Sequence, residues 1–564
     1  MRNEIKLVSS MEKVFSDMRR GDFREHKYQT ALKGEYVSFQ VVLNTYDVGR
    51  SLHLHAQAES PLGKCDIWEV GEVPAQLPTY EGCNLGDTFD PYYLRCTPGL
   101  YPDPLYDTCD TGFRLPWGQS KAVWVRIKVP TDAKPGEYPV TVKVQKVSEY
   151  EEIEQILEDT FTIRVIDVEL PKPDYLYSQW IHYDCLATYY NVPVFSEEHW
   201  EIIGNFFENA VEYGMTACFT PLVTPPLDTQ VGTERPTVQL VDVTVENGKM
   251  TLGYEKMDRF VDLALSKGFT QFELSHLFTQ WGATSAPKVM ATVDGEYKRI
   301  FGWETPSASP EYIAFLRLLI TETKEYFRKR GLLDKCLWHI SDEPGLEHIP
   351  NYLKAREGIN DLLADVVTTD AVSKYEFLEQ GLIKSPIVGI DHLEPFFEHD
   401  AKDFFTYYCC GHDKAVSNRF FAMPSARNRI LGLQLYKYNQ ITGFLQWGYN
   451  FYYTQYSRKA INPFLVTDAH CAFPAGDSFM VYPGENGKPI PSLRQVIFYE
   501  GFQDMAALKL LETVMPREEI IAWLDERCGK DGLQFKKYPC DNHGEWAMET
   551  RELINKMLEE KLAK

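Results

Sequence analysis

The chain has 564 residues, 44% hydrophobic and 25% charged, a globular balance whose length exceeds what one core of about 250–300 residues holds. A formal net charge of −23 excludes nucleic acid and anionic membranes as partners, because both demand clustered Lys and Arg and no run of either occurs. Aromatic residues reach 13%, with 33 Tyr and 11 Trp, which suits faces that stack on sugar rings as well as ordinary core packing.

The opening MRNEIKLVSSMEKVF is charged throughout and has no apolar h-region, and no apolar stretch is long enough for a membrane span. A cytoplasmic protein is expected, or an exported one if a signal was trimmed. The 12 cysteines are spread along the chain without any C-x-x-C, so neither a zinc site nor a redox motif is expected. Cys185, Cys218 and Cys336 lie in or beside apolar runs and read as small buried hydrophobes. Cys83, Cys96 and Cys109 share one Pro/Gly-rich loop, where pairing is open to an exported protein.

From the start to about residue 170 the chain alternates in short runs: EYVSFQVVL (35–43), AVWVRIKVP (122–130), YPVTVKVQ (138–145) and DTFTIRVIDVEL (159–170). These predict an antiparallel β-sandwich over residues 1–170. The irregular stretch 78–118 is too long to be an idle connection, and its Tyr92, Tyr93, Arg95, Tyr101, Tyr106 and Trp117 suggest that it leans on the second domain.

After the proline-rich LPKPDY (170–175) the rhythm changes. YSQWIHYD (177–184) reads as strand, then a helix runs from the Ser196 cap to the Gly214 stop, then MTACFTPL (215–222) is strand again. A hairpin turns at Asn247 and Gly248, a helix ends at Gly268, and TQFELSHLF (270–278) follows. The clearest helix spans 310–330, with Pro310 at its first position and Gly331 at its end, and it leads into KCLWHISDEPG (335–345). Further strand runs at 365–372, 386–393, 404–410 and 441–449 alternate with helical patterns. Eight strand–helix units predict a (β/α)8 TIM-type barrel over 171–564, with a C-terminal helical extension from about residue 494.

Active sites of such barrels lie at the C-terminal ends of the strands, where Asp342 and Glu343 fall. Neighbours on a strand face opposite ways, but Pro344 ends this strand, holds Glu343 extended, and Gly345 lets the chain turn, so both carboxylates can reach one mouth. Glycosidic cleavage needs a proton for the leaving oxygen and stabilisation of positive charge at the anomeric carbon, which a carboxyl pair supplies. Mutual repulsion also lifts the pKa of one member, as a general acid requires. A solvated Asp-Glu at a strand end is the bland alternative.

WHISDEPG, the closing LQWGYNFYY, GDSFMVYPG and PSLRQVIFYEGFQDM, and the N-terminal GEYVSFQVVL and KPGEYPVTV together resemble glycoside hydrolase family 123. The resemblance covers both domains and implies an exo-acting β-N-acetylgalactosaminidase built from a β-sandwich and a catalytic barrel. It further implies substrate-assisted retention, in which the sugar's 2-acetamido oxygen attacks the anomeric carbon to give an oxazolinium. Asp342 would then polarise the acetamido N–H, and Glu343 would serve as acid and then base. The partner is a glycan with a terminal N-acetylhexosamine, and no cofactor is implied.

Trp447, Tyr449 and Asn450 follow the last strand run, the place for a stacking ring and a hydroxyl-gripping amide, with core packing as the alternative. Tyr407 and Tyr408 end the preceding run within reach of an acetamido carbonyl, and Tyr482 is similar. His182 and Asp184 end the first run and His276 the third, an arrangement that resembles a metal centre. Nothing else supports a metal, so none is expected, and His182 and Asp184 are placed with the substrate-binding groups. His339 reads as a buried support, and Arg494 as either salt bridge or substrate contact. Glu273, Asp370 and Asp391 are reserve acids, one of which could be the nucleophile if the sugar lacked an acetamido group. That is the rival enzyme reading; a carbohydrate-binding protein on an inactive barrel is the non-enzyme one.

Overall fold

The computed structural model describes residues 5–46, 50–80, 93–147 and 152–563. The first part forms two five-stranded sheets. One is ordered Lys6–Ser9, Tyr36–Asn44, Ser120–Lys128, Cys65–Ala75, Gly99–Tyr106, and the other Tyr28–Lys33, Ile153–Glu169, Gly136–Val147, Leu52–Glu59, Phe113–Leu115. Alternate residues such as Val37, Phe39 and Val41 from one sheet and Val140, Val142 and Phe161 from the other fill the space between them. Phe39 and Phe161 stack at 4.3 Å. The sandwich is not wholly antiparallel, since Ile153–Glu169 pairs with Tyr28–Lys33 in parallel.

The stretch expected to be irregular holds two of these strands, Gly99–Tyr106 and Phe113–Leu115. It does lean on the second domain: Tyr93 donates to Asp413 O at 2.6 Å, Leu105 N–H to Pro491 O at 2.9 Å, and Tyr101 stacks near Phe421. Trp117 is instead exposed, and Arg95 turns back to Asp17 and the Phe15 ring. Tyr92 and Cys83 lie outside the described residues. Cys96 is disulfide-bonded, whereas Cys109 is a buried free thiol.

Eight short parallel strands follow: β1 (Leu176–Gln179), β2 (Ala217–Thr220), β3 (Gln271–Leu274), β4 (Cys336–His339), β5 (Val367–Thr369), β6 (Ile387–Gly389), β7 (Phe404–Tyr407) and β8 (Ile441–Gln446). They form two four-stranded sheets, β2-β3-β4-β5 and β1-β8-β7-β6, rather than the continuous ring expected. The sheets meet at two seams, where Thr216 N–H donates to Tyr177 O at 3.0 Å and Ala371 pairs with Ile387. Strands this short end before the ladder is complete at the seams. Their near-continuous burial is that of parallel strands covered on both faces.

Local chemistry sets the helices around these sheets. The Ser196 side chain accepts from His199 N–H to cap Glu197–Glu212, Pro310 opens Pro310–Lys329, and Gly268 at φ 107° ends Glu255–Lys267. Asn247 and Gly248 adopt φ 49° and 77° in their hairpin. A second hairpin, Val289–Val293 with Glu296–Phe301, joins it in a four-stranded sheet.

The C-terminal helices are not simply an extension of the catalytic part. Leu493–Leu511 is buried on nearly every side, and Glu545–Leu562 returns to the sandwich, where Glu552 accepts from Thr30 and Arg551 bonds Glu35. A buried ion network joins the halves: Arg429 grips Asp504 and Glu500, both at 2.7 Å, and Arg551 bonds Asp504 at 3.0 Å. Arg494 forks onto Asp103 and also donates to Gly476 O and Phe479 O. It is a structural ion pair.

Candidate active site

Past the C-terminal ends of the eight strands lies a cleft of about 230 Å³. Asp342 and Glu343 enter it from the turn after β4. Asp342 is half-buried and Glu343 exposed at the rim, so the neighbours stand at different depths. Pro344 does not hold Glu343 extended: its φ is 44°, left-handed and unfavourable for a residue with a Cβ. This backbone turn brings both carboxylates to one mouth, and backbone strain of about 1–3 kcal/mol persists only where surroundings enforce it. Here Trp281 N–H donates to Asp342 O at 2.8 Å, and the Tyr407 hydroxyl donates to Glu343 Oε1 at 2.9 Å.

Beneath the pair lies a buried charged network. Asp370 accepts the Ile340 and Ser341 N–H groups at 2.8 and 2.9 Å and the Tyr352 hydroxyl at 2.6 Å, fixing the backbone that leads into Asp342. His339 Nε2 donates to Glu273 Oε1 at 2.5 Å, while its Nδ1 stands 3.6 Å from Asp370, an ion pair rather than a hydrogen bond. Burial drags the imidazole down, but Asp370 and Glu273 outweigh it and hold His339 up at about 9. Glu273 also accepts from Ser178 and, at 2.7 Å, from Trp180 Nε1, so the network orients a ring of the cleft wall. Asp342 is pushed well above the ordinary carboxylate range by burial and then by the Glu343 charge, with His339 opposing.

Aromatic rings form much of the cleft: Trp180, Trp281, Tyr407, Trp447, Tyr456 and Phe473. Trp447 Nε1 donates to Asp477 Oδ2 at 3.1 Å, and its ring meets Phe473 edge-on at 5.4 Å. Burial raises Asp477 to about 7 against the pull of Arg419. Arg419 is itself spent on Gln179, Gln446 and two carbonyls. Cys409 and Cys410 line the wall after β7.

Of the expected site residues, Asp342, Glu343, Trp447 and Tyr407 meet in this cleft. The others do not line it. Tyr449 is buried with its hydroxyl on Asn209, and Tyr408 is buried near Asn428. Asn450 exchanges two hydrogen bonds with the His182 backbone, and Tyr482 donates to Asp103 at the domain junction. β1 ends at Gln179, so His182 and Asp184 belong to the start of the next helix, where Arg235 forks onto Asp184 and donates to His182 Nδ1. Burial and then Arg235 lower His182 to about 3, leaving a neutral ring that donates through Nε2 to Trp447 O.

Two groups bring possible metal ligands together among the described residues: His276, His339 and Asp370, and Asp391, His392 and His412. In the first, His339 and Asp370 are engaged as described, and only His276 has both ring nitrogens without a partner. In the second, Asp391 bridges His392 at 2.5 Å and His412 at 3.1 Å. Neither group lines the cleft.

The sequence did not single out Trp180, Cys409 and Cys410, nor a second set made of Asp228, Gln280, Trp281, Gln455, Tyr456 and Phe473. The second set comes from loops whose non-glycine residues take left-handed backbones, including Asp228 at φ 40°, Trp281 at 56° and Tyr456 at 60°. Asx and aromatic residues give no warning of this in sequence.

The family model of the glycoside hydrolase 123 catalytic domain matches residues 180–511, more than half the chain and the whole of the cleft. The chain belongs to glycoside hydrolase family 123. The structure is similar to that of a family 123 glycoside hydrolase from Clostridium perfringens described for glycolipid glycan hydrolysis. The match has a TM-score of 0.73 at 16% identity and covers 98% of this chain and 97% of that one. At that identity the likeness speaks for the fold. Matches to the fimbrial subunit AggA of Escherichia coli (TM-score 0.14, 11% identity, 29% of this chain and 97% of that) carry no argument. Nor does the match to a non-cellulosomal cohesin of Archaeoglobus fulgidus (0.13, 10%, 29% and 91%). No curated protein matches the chain.

Proposed function

We propose that this family 123 hydrolase is an exo-acting β-N-acetylhexosaminidase of the β-N-acetylgalactosaminidase type, working by substrate-assisted retention on a (β/α)8-type scaffold. The observation that carries the reading is the placement of two adjacent carboxylates at different depths of one aromatic-walled cleft. Asp342, the deeper, meets the acetamido N–H and steadies the positive charge as the acetamido oxygen attacks the anomeric carbon. Burial and the Glu343 charge oppose its ionisation in the empty cleft, and the developing oxazolinium supplies the cationic partner that an anion there lacks. As the bound sugar makes Asp342 an anion, the proton the pair shares passes to Glu343, which is exposed at the rim and gripped by the Tyr407 hydroxyl; Glu343 gives it to the departing oxygen and then takes one from water. Trp447 offers a face for the sugar ring.

The reserve acids bear on the rival mechanism. Glu273 and Asp370 are fully buried in hydrogen bonds beneath the cleft, and Asp391 is bonded to two histidines away from its lining, so none of the three faces a sugar. A panel of nitrophenyl glycosides with a thiazoline mimic of the oxazolinium tests the reading. Turnover of the β-N-acetylgalactosaminide, inhibition by the thiazoline, and loss of turnover in folded Asp342→Asn and Glu343→Gln variants are expected. Undiminished turnover in either variant would sink the assignment.

A further inference from the structure

A third carboxylate faces the same cleft. Asp228 follows β2 by eight residues and lines the wall beside Leu227. Its backbone is held from two sides, the N–H donating to Gln280 Oε1 at 2.7 Å and the carbonyl accepting from the Ser457 hydroxyl at 2.8 Å, and its φ is 40°. One carboxylate oxygen, Oδ2, accepts from Tyr456 N–H at 2.9 Å. Tyr456 and Ser457 are left-handed as well, at φ 60° and 53°. Three non-glycine residues in an unfavourable conformation, tied to one another at a cleft wall, are strain retained for placement rather than for packing.

The charge balance of the wall is one-sided. Asp228, Asp342 and Glu343 line it, and none of the described lining residues is Lys, Arg or His. Arg235 is buried and committed to Asp184, His182 and the Leu227 carbonyl, and Arg458 is exposed with its Nε on Gln230. Asp228 is lifted to about 6 by burial, with Tyr456 N–H, Arg235 and Arg458 opposing and Glu343 adding to the rise. Near neutrality it is therefore still largely an anion, an acceptor with no donor of its own.

We infer that Asp228 is a specificity-determining residue whose second carboxylate oxygen accepts a hydroxyl of the terminal sugar, and that with Asp342 and Glu343 it confines the substrate class to uncharged terminal sugars, rejecting sulfated and uronic ones. This rests on the glycosidase reading above and narrows it. A sulfate in this cleft meets like charge, while Arg235 and Arg458, the cations that act on Asp228, are already engaged by Asp184 and Gln230, so its binding is disfavoured. A neutral sugar supplies the hydroxyl donor that the second Asp228 oxygen accepts and brings no charge of its own.

The test compares nitrophenyl β-N-acetylgalactosaminide with its 4-O- and 6-O-sulfates in wild type and Asp228→Asn. Calorimetric titration of the free sugar and its sulfates runs in parallel. Wild type is expected to favour the neutral substrate by about 100-fold or more in kcat/KM, with the gap shrinking as salt is raised to about 0.5 M. Asp228→Asn is expected to raise KM for the neutral sugar about tenfold with a smaller change in kcat, and to narrow the preference at least about tenfold. Equal use of the sulfates by wild type, or a salt-independent preference, overturns the charge filter. A collapse of kcat in Asp228→Ala that azide restores overturns the binding role and makes Asp228 a nucleophile. If no acetamido substrate is cleaved at all, the activity reading falls alone, and the titrations still decide whether neutral sugar binds in preference to sulfated.

Discussion

His339 is the residue through which the buried network can be tested without touching a sugar. It is fully buried, and its imidazole is held at about 9 instead of the ordinary 6.5 because Asp370 and Glu273 outweigh burial. A rise from 6.5 to about 9 is worth about 3 kcal/mol at 1.36 kcal/mol per pH unit. Because the folded value is raised, this stabilisation is complete below about pH 6.5 and is lost as the pH climbs through about 9. His339→Gln keeps a donor for Glu273 but carries no charge. Denaturation midpoints from about pH 6 to 10 should therefore fall more steeply in wild type than in the variant, by an amount equivalent to about 3 kcal/mol. The same charge opposes the rise at Asp342, so the variant's Asp342 should ionise later. The acidic limb of the pH–rate profile should then move upward by on the order of one pH unit. Parallel stability curves together with an unmoved limb would refute the claim that His339 is a cation between Glu273 and Asp370.

Tyr407→Phe removes the hydroxyl that donates to Glu343 and should lower kcat about 10–100-fold with little change in KM, read in steady-state kinetics. Arg235→Met leaves Asp184 buried and unpaired, which should cost about 3–5 kcal/mol in thermal or denaturant unfolding. Gly432→Ala places a Cβ 1.9 Å from the Gly501 carbonyl oxygen, where the helices Leu431–Lys437 and Leu493–Leu511 touch. It should cost about 3 kcal/mol or more and show as a lowered melting point or insoluble protein.

The elements with their own local signals were legible in sequence. Ser196, Pro310, Gly268 and the Asn247-Gly248 turn each carry a backbone requirement that one residue type meets, and the helices and hairpin stand where they do. The second hairpin, which turns at Asp294-Gly295, was not anticipated. The acid pair was legible because it follows the fourth strand run and precedes Pro344-Gly345, although the strand ends at His339, before Pro344, and the geometry that unites the pair is a left-handed Glu343 rather than an extended one. Past a strand end, however, alternation no longer says which way a side chain points. Trp447 faces the cleft while Tyr449 and Asn450, two and three residues on, turn into the body of the protein. His182 failed for a related reason: the apolar run continued beyond Gln179, but the ladder did not. Asp228 and Tyr456 reach the site only because distant loops meet, a tertiary fact with no local cause.

The sandwich bears on the cleft more directly than its distance along the chain suggests. Gln76 and Leu77 N–H groups donate to Asp468 Oδ2 at 3.0 and 2.8 Å, Ala475 N–H donates to Leu77 O at 2.8 Å, and the Tyr80 hydroxyl to Ala472 O at 3.0 Å. These bonds pin the loop 468–477, which carries Phe473 and Asp477. Those two residues in turn hold the Trp447 ring by an edge contact and a hydrogen bond. Asp103 of the sandwich anchors Arg494, whose guanidinium takes the Gly476 and Phe479 carbonyls at either end of the same turn. A displacement of the first domain would therefore be felt first at Trp447, one wall of the cleft. Asp342 is instead fixed through Asp370 and His339, which stand at the ends of parallel strands, with Tyr352 and the Trp281 N–H adding to the hold. The site is thus built from two supports of different origin. Asp342 and Glu343 are set from the catalytic sheets, and the Trp447 ring of the same cleft is steadied from the sandwich.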